Sequence, residues 1–262
     1  MRRETFHTPG PLLLNVRIPS GRIELEAVEG SETVVELDAS PEIEAEARIE
    51  LRPRRDGHEV VLTVEKRGFM SLFRGEVLAR VSAPPGADVE VSTASADLDA
   101  RGAFGALEVN TASGDVAFEH IGGDVQINSA SGDVNVERIG GRLTVNTASG
   151  DLQIGRLQGD GKVRAASGDV SFEEADASLK VQTASGDVEV GSVQEGEVTL
   201  QTASGDIEVG IKKGSKLWID ARSMSGETSS ELDVADVPVE GDGPNVEVRA
   251  TAMSGDIRIK RA

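Results

Sequence analysis

The sequence predicts an all-β chain: a single-stranded parallel β-solenoid of about 18 residues per coil. Three observations predict it. The run Thr-Ala-Ser-Gly-Asp occurs at 111–115, 147–151, 183–187 and 202–206, with near-copies at 93–97, 129–133, 165–169, 223–227 and 252–256. The acidic residue closing this run falls at 97, 115, 133, 151, 169 and 187, a step of 18 each time, before steps of 19, 21 and 29. Between the runs, apolar and polar residues alternate in stretches too short for a helix and bounded by turn residues. A fixed period this short means backbone coils that bury their apolar faces only against their neighbours.

One coil shows the logic. Val125 and Ile127 alternate with Gln126 and Asn128, Ala130 to Asp133 turn the chain, Val134 and Val136 alternate with Asn135 and Glu137, and Gly140-Gly141 ends the coil. Residues 18 apart must stack about 4.8 Å apart. Val109, Ile127, Val145, Val163, Val181 and Leu200 then form one inward column. Val116, Val134, Leu152, Val170, Val188 and Ile207 form a second, and Phe118, Val136, Ile154, Phe172, Val190 and Val209 a third. Parallel crossovers favour a right-handed coil.

In chain order, residues 1–39 read as degenerate first coils, with Pro19-Ser20-Gly21-Arg22-Ile23 a weak form of the corner. Residues 40–80 break the period. There, 43–52 and 59–65 read as strands joined through 53–57, an inserted β-hairpin followed by an apolar loop. Regular coils occupy 81–232, and an irregular segment and final coil occupy 233–262, all within one domain. The insertion and the segment 233–245 are expected to protect the ends, where a solenoid otherwise exposes strand edges.

Composition limits function. A net charge of −19 repels phosphate backbones and anionic membranes, so neither nucleic acid nor a membrane surface is expected as a partner. The absence of cysteine excludes disulfides, thiolate metal sites and cysteine nucleophiles. No apolar stretch is long enough for a signal-peptide core or a membrane span. The expected location is therefore cytoplasmic, with an envelope-associated or surface position as the alternative. His7, His58 and His120 match no metal or triad spacing, and no phosphate loop or nucleophile elbow is present.

Three features are candidate sites. The ladder Asp115, Asp133, Asp151, Asp169, Asp187 and Asp206 reads as a turn device, since Asp and Ser bond nearby backbone N–H groups and Gly accepts the bend. Its alternative is a column of oxygen ligands for Ca²⁺ or Mg²⁺. The apolar loop carrying Phe69, Met70, Leu72 and Phe73 reads as a cover for the end of the stack or as an interaction loop. The outward columns Asn110, Asn128, Asn146, Arg164, Gln182, Gln201 and Glu108, Gln126, Thr144, Lys162, Lys180, Thr199 read as a solvated sheet face or a docking face.

The corner Ser-Gly-Asp-Val-x-Val, the opening Val16-Arg17-Ile18-Pro19-Ser20-Gly21 and the closing Met253-Ser254-Gly255-Asp256-Ile257-Arg258-Ile259 resemble the bacterial putative-adhesin β-strand-repeat family, a group of unknown function. Bactofilins, polymerising cytoskeletal solenoids, are similar more loosely. The first resemblance implies a β-solenoid with no catalytic residues and no cofactor. The expected role is a non-enzymatic interaction scaffold, adhesin-like or envelope-associated, holding a protein or a cell-envelope component. A self-assembling homo-oligomer is the second reading, and a polysaccharide-acting β-helix enzyme the third.

Overall fold

A computed structural model describes residues 1–65, 77–232 and 244–262. The chain divides into two compact units, Met1–Asp133 and Val134–Ala262. The first contains β1 (Arg2–His7), β2 (Leu12–Ala27), β3 (Glu32–Asp38), helix α1 (Pro41–Glu46), β4 (Arg48–Arg54), β5 (Gly57–Thr63), β6 (Leu78–Ala83), β7 (Asp88–Phe104), β8 (Leu107–Ser113), β9 (Val116–Ile121) and β10 (Val125–Ser131). The second contains β11 (Val134–Ile139), β12 (Leu143–Thr147), β13 (Leu152–Leu157), β14 (Gly161–Ser167), β15 (Val170–Ala175), β16 (Leu179–Ser185), β17 (Val188–Val193), β18 (Gly196–Ser204), β19 (Ile207–Ile211), β20 (Lys216–Ser223), β21 (Thr228–Ser230), β22 (Asn245–Ser254) and β23 (Ile257–Arg261). No helix among the described residues is long and apolar enough to cross a membrane.

Both units contain parallel rungs, of two strands each where the 18-residue step holds. In the first, β7 pairs with β8 and β8 with β10, all parallel, so Val91, Val109 and Ile127 stack in register. In the second, β12, β14, β16 and β18 pair in succession, and Val145, Val163, Val181 and Leu200 form one buried column. The strands β11, β13, β15, β17 and β19 repeat this on the second side of the coil, stacking Val136, Ile154, Phe172, Val190 and Val209. Aliphatic columns suit this geometry because each side chain meets a near-copy of itself above and below. The first unit also uses an edge-to-face aromatic pair, Phe104 against Phe118, with centroids 6.0 Å apart.

The repeated pentapeptide is accounted for atom by atom. The Thr183 hydroxyl donates to the Ser185 carbonyl oxygen at 3.1 Å, and Thr147 and Thr202 repeat this bond to Ser149 and Ser204. Gly186 turns the corner at a φ of +132°, a conformation that favours glycine. A Cβ there would lie 2.1 Å from the Gly168 carbonyl oxygen of the rung below, so the glycine column also lets rungs close. The near-copy with Ala96 makes no such corner: β7 runs extended through it, and Ala96 is buried.

Three expectations need correction. Residues 43–46, expected in a strand, belong to α1. Ser40 stands at the N-cap position, Pro41 has its φ fixed for a first helical turn, and Glu42 and Glu44 carry negative charge at the helix start. The hairpin does form, β4 antiparallel to β5 with Arg54 opposite Gly57. It is not a free insertion, however. β5 and β6 both pair parallel with β2 and together make a rung outside it, and β3 joins β6 to β1 by antiparallel pairing.

The third correction concerns the last coils. Chain order places the 227 corner before the 256 corner, but in space β22 pairs with β18 on one side and β20 on the other. Likewise β23 lies between β19 and β21. Burial explains the order. Val246, Val248 and Ala250 of β22 are buried, as residues with rungs on both sides must be, whereas Leu217, Ile219 and Ala221 of β20 are half-buried. The segment 233–243 lies outside the described residues.

Candidate binding face

The aspartate ladder is tied into the backbone. Within each unit, ladder carboxylates accept the backbone N–H of the acidic residue one rung on. Asp115 N–H donates to Asp97 Oδ1 at 3.2 Å, and Asp133 N–H to Asp115 Oδ1 at 3.0 Å. In the second unit Asp169 donates to Asp151, Asp187 to Asp169 and Asp206 to Asp187, at 2.9, 2.8 and 2.7 Å. The ladder follows the spatial order of rungs: Asp256 N–H donates to Asp206 and Glu227 N–H to Asp256. One oxygen of each acceptor is thus committed to a corner amide that would otherwise lack a protein partner. Among the described residues no group of three His, Asp or Glu side chains is placed to hold a metal ion. The Phe69, Met70, Leu72 and Phe73 loop lies outside the described residues.

The histidines are not gathered. His7 is exposed, while His58 in β5 and His120 in β9 are half-buried.

The outward side of β12, β14, β16, β18, β22 and β20 is a different kind of surface. Strand alternation turns every second residue out, and the register sets these residues in three parallel rows. The middle row runs Thr144, Lys162, Lys180, Thr199, Arg249, Asp220. One flanking row runs Asn146, Arg164, Gln182, Gln201, Thr251, Arg222. The other contains Ser178, Glu197, Glu247 and, on the outermost strand, Trp218. The Gln182 amide donates to Gln201 at 2.8 Å, continuing the row by side-chain bonds.

Charge is unevenly partnered on this face. Arg249 ion-pairs with both Glu197 and Glu247, and Arg222 with Asp220 at 2.8 Å. The exposed cations Lys162, Arg164 and Lys180 have no acidic partner among the described residues. Lys162 and Lys180 are register neighbours, one strand spacing apart. Two like charges at about 4.8 Å repel by about 0.9 kcal/mol in water. A depression of about 520 Å³ lies over them, lined also by Arg142, Asp160 and Thr199. Trp218, the one tryptophan of the chain, is 50% exposed, with the Arg249 guanidinium 5.4 Å from its ring centroid.

The opposite outward side of the second unit, on β11, β13 and β15, has a groove of about 600 Å³ lined by Asn135, Glu137, Arg138, Gln153, Arg156 and Glu173. Gly155 keeps its floor low, since a Cβ there would meet the Glu137 carbonyl oxygen at 2.4 Å. Arg156 is held by Asp176 at 2.7 Å and Glu174 at 3.5 Å.

The outward Asn, Gln and Lys columns were readable from the sequence as far as Gln201. Trp218, Arg249 and Thr251 were missed, because reading them into the face requires knowing that β22 comes before β20 in space. The signal was there: in Lys-Leu-Trp-Ile-Asp-Ala-Arg, an inward Leu217, Ile219 and Ala221 force Trp218 outward.

The family model described as Toastrack DUF4097 matches residues 14–260. No curated protein matches the chain in sequence. Among solved structures, a putative lipid binding protein from Parabacteroides distasonis is similar at 12% identity and a TM-score of 0.53, over 98% of this chain and 96% of that one. A putative cell adhesion protein from Clostridium sporogenes is similar at 14% identity and a TM-score of 0.31, over 100% and 99%. A putative adhesin from Bacteroides fragilis is similar at 12% identity and a TM-score of 0.34, over 100% and 96%.

Proposed function

Because the chain belongs to the Toastrack DUF4097 family and itself folds as an array of repeated rungs, we propose that it works as a non-enzymatic, adhesin-like scaffold. It holds a component of the cell envelope on the outward face of β12 to β22 and β20. The observation that carries this reading is the composition of that face. The chain's one tryptophan is half exposed on the same face as Lys162, Arg164 and Lys180, which have no acidic partner among the described residues. Exposed aromatic surface flanked by polar groups marks interaction sites.

The self-assembling reading is less favoured. The outer strands of the first unit, β1, β3 and β4, pair antiparallel to their neighbours, so that end does not continue the parallel ladder an end-to-end stack requires. The enzymatic reading lacks convergence: the ladder carboxylates repeat one backbone role, and the groove carboxylates Glu137 and Glu173 stand two rungs apart with glycine between them.

The test is cosedimentation of purified protein with isolated cell-envelope material. The parent is expected to bind saturably, and the triple variant Lys162→Gln, Arg164→Gln, Trp218→Ser to lose binding while melting like the parent. Equal binding by parent and variant would overturn the assignment of the face.

A further inference from the structure

We propose that this face takes a linear acidic polysaccharide laid across the strands, an inference that rests on the binding-face reading and narrows it to a ligand class. Three features of the face define the ligand. Its length is set by six strands in register, spanning about 24 Å from β12 to β20 at ordinary strand spacing. That is an extended ligand and not a compact one.

Its charge is set by Lys162, Arg164 and Lys180. Same-sign groups directly opposite on a ladder are destabilising, and a chain with 46 acidic residues has ample means to neutralise them. Most acids on the face are engaged elsewhere, Glu197 and Glu247 with Arg249 and Asp220 with Arg222, and Asp160, which lines the same depression, forms no ion pair with these cations among the described residues. The ligand therefore brings the missing negative charge, as carboxylate or sulfate groups that an ammonium and a guanidinium can both hold.

Its remaining chemistry is set by the flanking groups. Amides such as Gln182 and Gln201 donate and accept at once, which suits a hydroxyl-rich chain. The half-open Trp218 indole offers an apolar plate for one face of a sugar ring, one row over from Lys180 and three strand spacings, about 14 Å, from its strand. A single-stranded nucleic acid would also use aromatics and cations, but it stacks successive bases on successive aromatics along a basic groove. Here one aromatic stands at one end, and the whole chain carries −19.

The single tryptophan makes the test direct, because intrinsic indole emission reports Trp218 alone. The protein is titrated with alginate, dextran sulfate, neutral dextran and oligo-dT, and binding is confirmed by cosedimentation or light scattering. The expected result is a saturable emission change with alginate or dextran sulfate, weakened by added salt. Whichever of the two binds more tightly distinguishes carboxylate from sulfate as the anionic group. The double variant Lys162→Gln, Lys180→Gln should weaken it at least tenfold, and Lys162→Arg, Lys180→Arg should retain it. Equal response to neutral dextran, tighter binding of oligo-dT, or no response to either acidic polymer would overturn the proposal. If the acidic polymers fail but envelope binding is lost in the face variant, the ligand class alone is wrong. If envelope binding survives that variant, the binding-face reading itself fails.

Discussion

Substituting alanine at two glycines of the second unit separates backbone conformation from rung packing. Gly186 and Gly214 both have positive φ, +132° and +90°. They differ in what a methyl group would meet. At Gly214 nothing lies within 4 Å, whereas at Gly186 the new carbon would sit 2.1 Å from a backbone carbonyl oxygen of the rung below. The backbone cannot rotate away as a side chain would. The rungs must part, straining bonds between them such as Val170 N–H to the Asp187 carbonyl oxygen at 2.9 Å. Forcing alanine into left-handed backbone costs roughly 1–2 kcal/mol, and overpacking a close contact adds about 1–3 kcal/mol. The stiffening of the unfolded chain, about 0.4–1 kcal/mol, is common to both variants and cancels. Gly186→Ala should therefore be less stable than Gly214→Ala by about 1–3 kcal/mol. At about 2–4 °C per kcal/mol for a chain of this size, thermal melts followed by circular dichroism resolve that difference. Equal melting temperatures would refute the close-packed glycine column.

Further outcomes follow from the same geometry. Asp187→Asn keeps an oxygen for the Asp206 N–H and removes one of a row of like charges, so it should melt at or above the parent, with Asp187→Ala below it. Millimolar calcium should leave the parent's melting temperature unmoved; a rise of many degrees would establish the ladder as a metal site. Val181→Asp buries a charge without a partner and should cost about 3–5 kcal/mol. Gln182→Asp, one residue along and facing out, should cost under about 1 kcal/mol, and the opposite order would invert the face assignment. The Lys260 ammonium, hydrogen-bonded to Glu208, holds that carboxyl below its ordinary value of 4.5 against a smaller opposing effect of burial. A lowered folded value means the pair's contribution is present above the ordinary value and lost as pH falls through the lowered one. The stability gap between parent and Glu208→Gln should then be constant from pH 6 to 8 and close in acid; a gap that grows in acid would contradict the pairing.

The inward columns were legible because a step of 18 makes equivalent residues stack, and alternation then assigns each side chain to core or solvent. Val109 and Ile127, or Val163 and Val181, needed nothing more. The corner was legible in its residue types, although the rung-to-rung bond from each acidic residue's amide to the carboxylate below it follows only from the observed stacking. Helix α1 was not legible. Its six residues are too few to show a 3.6-residue period, and Ile43 alternates with Glu42 and Glu44 as in a strand. The binding face was half legible. Its cations sit at regular positions, but Trp218 joins them only through a rung order that contradicts chain order.

That reversed order has a consequence for how the second unit can be assembled. The segment that makes the outer rung, β20 and β21, leaves the ribosome before the segment that joins it to the body. Until residues 245–261 emerge, its natural docking edge does not exist, and the vacant edge of β18 and β19 offers the same spacing and a similar inward pattern. A nascent chain can fill that edge prematurely, and the late strands must then displace the occupant. Trimming the C-terminus likewise removes no lid; it cuts out a middle course and leaves the outermost one with nothing to rest on.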